Sequence, residues 1–239
     1  YRADLPCVLH GLTLTIPGGG KVGVIGRTGS GKSSLTLALA RLNQLAGGRV
    51  LIDGVDTASV SLSALRSSIG FVPQEPSCFA GTLRYNVDPF KRHSDADILA
   101  ALSAVNMTKG SSTPDSLGLL VAENGSNLSV GEKQCISMAR AILTNAAIFV
   151  MDEATASIDY ETDAAIQLAI RTQPVFKKAT IITVAHRIQT IADSDMVVVL
   201  DDGKVSEQGP PSELLQNPNS AYSKLAAAAR AEASQMMKC

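Results

Sequence analysis

Residues 26–33 of this chain read Gly26-Arg27-Thr28-Gly29-Ser30-Gly31-Lys32-Ser33. This stretch fits the pattern GxxxxGK[ST], a glycine-rich loop that ends in a lysine and a hydroxyl residue. The apolar residues 21–25 before it predict a buried strand of the parallel type. Residues 33–42 after it predict a helix with Leu35, Leu39 and Leu42 on one face. A strand, this loop and a helix in that order predict a binding site for a phosphate chain.

The expected chemistry of the loop follows from its backbone. Glycines let successive N–H groups turn inward around phosphate oxygens, and the helix start adds its positive end. We predict that Lys32 reaches the β- and γ-phosphates of a nucleoside triphosphate and that the Ser33 hydroxyl completes part of a Mg²⁺ shell. The ligand that fits best is Mg-ATP. A glycine-rich turn with an incidental lysine is the alternative, and the strand and helix around the loop disfavour it.

An acidic partner for the metal follows an apolar stretch later in the chain, Ala147-Ile148-Phe149-Val150-Met151-Asp152-Glu153. We predict a buried strand that delivers Asp152 at its C-terminal end, where ligands bind in open α/β sheets. Asp152 is expected to hold Mg²⁺ through water. Glu153 is expected to polarise the attacking water as a general base. For a glutamate that stood alone, a surface carboxylate would be the preferred interpretation.

Hydrophobic patterning and turn residues predict the remaining elements. The predicted strands lie at residues 8–16, 49–53, 69–72, 147–151, 179–184 and 196–200, with turns at Asp53-Gly54 and Asp201-Asp202-Gly203. The predicted helices include residues 61–68, residues 162–171 and one that begins near Ala221. Residues 83–143 are mostly helical in pattern and contain no convincing strand. This order predicts an α/β fold with a mainly parallel sheet, a small β element and an inserted helical subdomain.

Composition limits the class of protein. The chain has 239 residues, an apolar fraction of 45% and a formal net charge of −1, which suits one globular domain or one with a subdomain. No long run of one charge sign is present, so a broad surface for nucleic acid is not indicated. The four cysteines form no CxxC pair, which favours free thiols over disulfides or zinc. No apolar stretch reaches the length of about 18 residues that suggests a membrane-spanning helix.

A second candidate anion site lies at Leu128-Ser129-Val130-Gly131-Glu132-Lys133-Gln134. A short Ser/Gly turn here precedes a helix predicted for residues 135–143, and a helix start after small residues can bind an anion. Two phosphate-binding helix starts in one chain indicate that one of them serves the nucleotide of a partner.

With these motifs the chain resembles the nucleotide-binding domains of ATP-binding cassette (ABC) transporters. Residues 128–132 resemble that family's LSGGQ signature, and Ala154-Thr155-Ala156-Ser157-Ile158-Asp159 resembles its D-loop. Gln74 stands at the position of the Q-loop, and His186 matches the switch histidine. Tyr1 stands where the family's adenine-stacking aromatic residue stands, with Val8 as its support. The resemblance extends along nearly the whole chain.

The resemblance implies a fold and an origin. The fold is a RecA-like P-loop NTPase core with an antiparallel β subdomain at residues 1–82 and 144–239, and a helical subdomain with the signature at residues 83–143. GRTGSGKSS, FVPQEP, FAGTLRYNVDPF, LSVGE and MDEATASID resemble the second nucleotide-binding domain of the C subfamily, the multidrug-resistance-associated proteins and their relatives. That likeness implies an ATPase domain of a membrane exporter, on the cytoplasmic face, cut from a longer polypeptide. Alone, the domain is expected to be soluble and monomeric.

The partners also follow from the resemblance. The first nucleotide-binding domain of the same polypeptide is expected to join this one head to tail, with two ATP molecules sandwiched between them. Transmembrane domains are expected to contact the Q-loop and the helical subdomain, including residues 79–90. No nucleic-acid partner is expected.

The motifs together assign the site residues. We predict catalytic roles for Glu153, His186, Lys32 and Gln74. We predict that the metal is bound by Ser33, Gln74 and Asp152. Contacts with the nucleotide go to Tyr1, Val8, Arg27, Thr28, Gly29, Ser30, Gly31, Lys32, Ser33, Ser34, Gln74 and Asp152. Contacts with the partner's nucleotide go to Ser129, Gly131 and Glu132.

Two residues depart from the family signature. Val130 replaces its middle glycine, as in second domains of this subfamily, and Glu132 replaces the usual glutamine. A carboxylate near a partner's γ-phosphate is expected to repel it. The site built on residues 26–33, Asp152, Glu153 and His186 keeps its catalytic elements, so we expect this domain's own ATP to be hydrolysed.

Three other functions share some of these motifs. A DNA-repair or chromosome ATPase would carry a coiled coil or a zinc insertion between the two phosphate motifs, and neither is present. A regulatory module without turnover gains some support from Glu132 but is opposed by Glu153 and His186. A soluble metabolic kinase is disfavoured by the signature and the D-loop.

Overall fold

The computed structural model describes residues 5–107, 114–152, 158–185 and 187–236, without the side chains of Pro114 and residues 230–236. The strands are β1 Lys21–Gly26, β2 Leu51–Ile52, β3 Val55–Asp56, β4 Ile69–Val72, β5 Gly81–Thr82, β6 Leu120–Val121, β7 Ile148–Asp152, β8 Thr180–Val184, β9 Met196–Asp201 and β10 Lys204–Gly209. The α-helices are α1 Lys32–Leu39, α2 Leu62–Ser67, α3 Leu83–Val87, α4 Asp95–Ala104, α5 Val130–Thr144, α6 Tyr160–Thr172, α7 Pro174–Lys178, α8 Pro211–Gln216 and α9 Ala221–Met236. Short 3-10 helices cover Thr57–Ser59, Pro114–Gly118, Glu123–Gly125 and Ile188–Ile191.

The chain divides into two compact units, residues 1–69 with 180–239, and residues 70–179. In the first unit neighbouring strands follow the order β10-β9-β1-β8. Strand β1 pairs in parallel with β8 and β9, and β10 returns antiparallel to β9. The β1 side chains Val22, Val24 and Ile25 are all buried, as expected for a parallel strand covered on both faces. The prediction of an α/β fold with a mainly parallel sheet is confirmed.

The core of the first unit joins the sheet to the C-terminal helix. Tyr222 of α9 is 0% exposed and packs in one cluster with Ile25 of β1 and Val199 of β9. Its backbone N–H donates to the Glu207 carboxylate at 3.0 Å, which fixes the start of α9 against β10. The helix predicted near Ala221 is therefore part of the core.

The small β element of the first unit is a hairpin. Ile52 pairs with Val55 in the antiparallel ladder of β2 and β3, and Asp53 and Gly54 make the turn with φ values of 50° and 78°. Positive φ at both central residues is the geometry that Asp-Gly favours. The predicted turn at Asp53-Gly54 is confirmed.

The second unit is mainly helical. Side-chain caps set several of its helix starts: Thr82 caps α3, and Ser94 with Asp97 forms a capping box at α4. Helices α4 and α5 contact each other and bury Ile98 and Ile136 completely. Strands β4 and β7 are neighbours in this unit.

A glycine on β4 leaves room for an aromatic ring of the neighbouring strand β7. A Cβ placed on Gly70 of β4 would fall on the ring of Phe149 of β7. On β7, that ring meets Phe176 of α7 edge to face, with 4.8 Å between ring centroids. The absence of a side chain at Gly70 therefore lets Phe149 fill the space beside β4.

Two predictions for the start of the chain are wrong in part. Residues 8–16 show the predicted alternation of exposure but form no strand, since among the described residues no ladder partner is assigned to them. The first helix ends at Leu39, before the predicted residue 42, because Arg41 adopts a φ of 46°. Leu42 is consequently 55% exposed, whereas Leu35 is 8% exposed.

Two predictions for residues 83–143 also need correction. A short strand is present after all: Leu120 and Val121 pair antiparallel with Thr82 and Gly81. Two residues are too few to produce a detectable alternation. Helix α5 begins at Val130, not at residue 135, because Ser129 caps it.

The structure describes three of the four cysteines, and these three agree with the prediction of free thiols. Cys7, Cys78 and Cys135 are free, and burial raises the pKa of the Cys78 thiol against the opposing charges of Arg140 and Lys133. None of the helices in the described ranges has both the length and the hydrophobicity that a membrane span requires.

Candidate nucleotide-binding site

The backbone of the predicted phosphate loop depends on its glycines. Gly29 and Gly31 have φ values of 83° and 102°, which residues with a Cβ rarely adopt. Ser30 N–H donates to the Arg27 carbonyl at 3.1 Å, and Leu35 N–H donates to the Gly31 carbonyl at 2.9 Å. Gly31 thus stands at the cap position of α1, where no side chain caps the helix. This start leaves the positive end of the helix to face a ligand.

Lys32 lies within the loop. It is 6% exposed, and its Nζ donates to the carbonyl oxygens of Gly26 at 2.8 Å and Arg27 at 3.1 Å. These dipoles replace part of the water that an ammonium group loses on burial. The loop therefore holds a cation among backbone carbonyls.

The loop fits a polyphosphate. Ser30 is 4% exposed, and its Oγ is one of the described buried atoms that lack a hydrogen-bond partner. An oxygen-rich anion would supply the missing acceptor for this hydroxyl. Ser33 is exposed in the first turn of α1, and Arg27, Thr28 and Gly29 are exposed as well.

The first unit places a second segment against the loop. Val8 and Leu9 are partly buried, and a Cβ on Gly31 would lie 2.8 Å from Leu9 Cδ2. The turn between β9 and β10 also reaches the loop, since Gly203 N–H donates to the Ser30 carbonyl at 3.1 Å. Val8 thus lies near the loop, and its predicted support of Tyr1 stays a prediction because Tyr1 lies outside the described residues. Gly203 was not predicted as a site residue.

The candidate metal ligands of the second unit follow two neighbouring strands. Asp152 is the last residue of β7, after the buried residues Phe149 to Met151, as predicted. Gln74 is exposed, two residues beyond the end of β4. In the described ranges, no group of three or more His, Cys, Asp or Glu side chains is placed to hold a metal ion. A Mg²⁺ site that uses one carboxylate with phosphate oxygens needs no such group.

The signature residues form the start of α5. Ser129 Oγ accepts from Glu132 N–H at 3.2 Å, and the Glu132 carboxylate accepts from Ser129 N–H at 2.8 Å. This reciprocal pair is a capping box, which fits the S-x-x-E spacing. Glu132 therefore has a structural role that the comparison with LSGGQ did not predict. The S-x-x-E spacing of Ser129 and Glu132 was the sequence signal for this capping box.

Gly131 brings the start of α6 close to the signature. A Cβ on Gly131 would lie 3.3 Å from Asp159 Oδ2 and from both Thr162 Oγ1 and Cγ2. Hydrogen bonds from the Thr162 backbone N–H and hydroxyl hold the pKa of Asp159 below its usual value. Together with Ser129 and Glu132, Asp159 and Thr162 line a cavity of about 410 Å³.

Two residues of α5 contact the segment around Gln74, which the sequence did not predict. Gln134, 2% exposed, donates from Nε2 to the Pro73 carbonyl at 3.3 Å. Arg140 donates to the Ser77 carbonyl at 2.8 Å and to the Asn86 carbonyl at 2.6 Å. Polar side chains within an amphipathic helix were the only signal for these contacts.

Three predicted site residues, Tyr1, Glu153 and His186, lie outside the described residues. The other predicted residues fall into two groups. The phosphate loop and Val8 belong to the first unit, and Gln74, Ser129, Gly131, Glu132 and Asp152 belong to the second.

Comparison with known families adds an independent observation. The family described as ABC transporter matches residues 9–156. The chain belongs to this family. The match contains the phosphate loop, the segment around Gln74, the signature and Asp152.

Known members of the family are similar over nearly all of this ABC domain. ATP-binding cassette sub-family C member 2 from Rattus norvegicus is 49% identical over 224 residues, which are 93% of this chain and 14% of the relative. ABC transporter C family member 13 from Oryza sativa subsp. japonica is 47% identical over 226 residues, 94% of this chain and 15% of the relative. The chain thus spans about a seventh of these curated relatives.

The fold also matches a solved structure. A bacterial Atm1-family ABC exporter with ATP bound has a TM-score of 0.87 and 36% identity, over 95% of this chain and 39% of that one. The ATP-binding domains of ABC transporters are ATPases, and the domain has their P-loop NTPase fold.

Proposed function

We propose that this ABC domain is the second nucleotide-binding domain of a longer exporter of the C subfamily, in which ATP binding and hydrolysis drive transport. The observation that carries the ATP-binding part of the proposal is the geometry of the phosphate loop, with its buried Lys32 and the buried, unpartnered Ser30 hydroxyl. The similarity to subfamily C relatives supports the choice of subfamily.

The loop residues bind the triphosphate. Lys32 and the N–H groups of the loop hold the β- and γ-phosphates, with Arg27, Thr28 and Ser34 beside them. Ser33, Asp152 and Gln74 hold Mg²⁺, and the exposed Ser33 hydroxyl at the helix start supports this role. When bound, Mg²⁺ neutralises charge on the β- and γ-phosphate oxygens.

The remaining roles rest on the family resemblance. Glu153 orients the attacking water and accepts its proton, and His186 contacts the γ-phosphate. Tyr1 stacks on adenine with Val8 beneath it. The helical subdomain, residues 83–143, carries the signature. The RecA-like core, residues 1–82 and 144–239, binds this nucleotide.

A partner domain completes the site. The first nucleotide-binding domain of the same polypeptide supplies its own signature to this loop, and Ser129, Gly131 and Glu132 face the partner's ATP. Because Glu132 adds a negative charge near that ATP, the partner's site is the weaker one.

The transmembrane domains dock on the second unit. Phe79 and Tyr85 are 53% and 44% exposed and meet edge to face, with 6.4 Å between ring centroids. Leu120, 75% exposed, pairs with Thr82 in the adjoining ladder. An exposed apolar surface of this kind supports a docking partner. In the proposed exporter, this docking holds the domain at the cytoplasmic face of the membrane.

The experiment that tests the proposal is phosphate release by the full-length polypeptide in lipid vesicles, with and without Glu153→Gln. We expect the variant to keep ATP binding and to lose roughly 10²–10⁴-fold in turnover, the usual contribution of a general base. Turnover close to that of the wild type would show that Glu153 is not the base and that this site is not the hydrolytic one.

A further inference from the structure

The turn between β9 and β10 touches the phosphate loop at its centre. Gly203, which is buried, donates its N–H to the Ser30 carbonyl at 3.1 Å. Ser30 and Gly31 share one peptide group, and in a trans peptide the carbonyl and the N–H point in opposite directions. The bond from Gly203 therefore turns the Gly31 N–H away from the turn.

The other side of the turn is held by the N-terminal segment. His10 N–H donates to the Gly203 carbonyl at 2.9 Å. A Cβ on Gly203 would overlap the Val8 carbonyl oxygen, and Gly203 has a φ of 71°. Only glycine meets both conditions without strain. The turn thus contacts residues 8–10 on one side and the phosphate loop on the other.

We propose that Gly203 is a positioning residue for the phosphate loop, which fixes the Ser30–Gly31 peptide so that the Gly31 N–H points at bound phosphate. The inference rests on the proposed binding of Mg-ATP by this loop. It also links residues 8–10, beside the proposed adenine site, to the phosphate end of the nucleotide through two successive backbone hydrogen bonds.

The chain offers a matched control for a substitution at Gly203. Asp53-Gly54 makes the same kind of turn between β2 and β3, with φ values of 50° and 78° against 44° and 71° for Asp202-Gly203. A Cβ on Gly54 meets nothing within 4 Å. Gly54→Ala therefore introduces similar backbone strain far from any contact with the loop.

The experiment is a calorimetric titration of the chain with Mg-ATP and Mg-ADP, below the melting temperatures of all variants. We expect Gly203→Ala to raise both dissociation constants about tenfold or more, and Gly54→Ala to stay within about twofold of the wild type. Equal affinities for Gly203→Ala and the wild type, or equal losses in the two variants, would overturn the inference. Absence of binding by the wild type would instead overturn the proposed function.

A measurement on the wild-type chain covers the case in which Gly203→Ala does not fold. Amide exchange of ¹⁵N-labelled protein reports the Gly203 and Gly54 N–H groups separately. We expect Mg-ATP to slow exchange at Gly203 and to leave Gly54 unchanged, because only Gly203 bonds to the loop that binds the ligand. Exchange at Gly203 that does not respond to Mg-ATP would contradict the positioning role.

Discussion

Lys32 carries a positive charge into a site where it is only 6% exposed. Burial of an ammonium group costs free energy unless other groups solvate it. The Gly26 and Arg27 carbonyls do so in part, and a triphosphate would do so with full negative charges. Lys32 is thus a buried, partly solvated cation whose charge a bound anion would neutralise.

We expect Lys32→Ala to abolish the thermal stabilisation that Mg-ATP gives. A ligand at 100 times its dissociation constant stabilises a protein by about 2.7 kcal/mol, which raises the melting temperature. In Lys32→Ala this rise in melting temperature should disappear. Thermal unfolding with and without Mg-ATP measures it, with Lys177→Ala, an exposed lysine of α7, as the control. A full shift in Lys32→Ala would rule out the assignment of the phosphate loop.

At the scale of elements, the start of α5 combines two demands on Glu132. Its carboxylate accepts from Ser129 N–H and so stabilises the helix, whereas in the proposed sandwich its charge opposes the partner's γ-phosphate. A glutamine can accept the same hydrogen bond without the charge. The capping role therefore explains why residue 132 carries a hydrogen-bond acceptor, and a carboxylate and an amide both meet that demand.

The two demands can be separated by substitution. Glu132→Gln should keep the melting temperature, and Glu132→Ala should lower the free energy of unfolding by about 0.5–2 kcal/mol, the range for loss of a helix cap. Urea unfolding of both variants and the wild type measures this. Equal stability of the alanine and glutamine variants would argue against the capping box.

Arg140 ties α5 to the segment that follows Gln74. Arg140→Ala should lower the free energy of unfolding by about 1–3 kcal/mol, because it leaves the backbone carbonyl of the buried Asn86 without its donor. Arg140→Lys retains the charge and can replace one of these bonds, so its loss should be smaller. Chemical denaturation compares the two, and a loss below about 0.5 kcal/mol for Arg140→Ala would exclude this stabilising role.

For the whole molecule, the proposed head-to-tail sandwich means that each site needs a signature from another domain. The isolated domain should therefore hydrolyse ATP slowly, and the rate per molecule should rise at concentrations where two copies associate. Phosphate release over a hundredfold range of chain concentration, about the span needed to resolve weak association, measures this. A fast rate per molecule that is independent of concentration would be incompatible with a shared site.

Local information explains which parts of this fold were predictable. The phosphate loop, the Asp53-Gly54 turn and the end of β7 at Asp152 are set by residues adjacent in sequence. The β5–β6 ladder joins Thr82 to Leu120, and two-residue strands leave no periodic pattern. The contact of Gly203 with Ser30 depends likewise on tertiary approach. Sequence therefore predicted both the loop and the turn at Asp201-Asp202-Gly203, but not the hydrogen bond that joins them.

The burial of Tyr222 bears on how genetic changes in this protein would act. A premature stop codon before Ser220 would remove the ring that packs against Ile25 and Val199, and a cavity of that size destabilises a core strongly. In a cell, chaperones and proteases remove chains that spend more time unfolded. Alleles that truncate the C-terminal helix should therefore be recognised by missing protein on an immunoblot, with messenger RNA present.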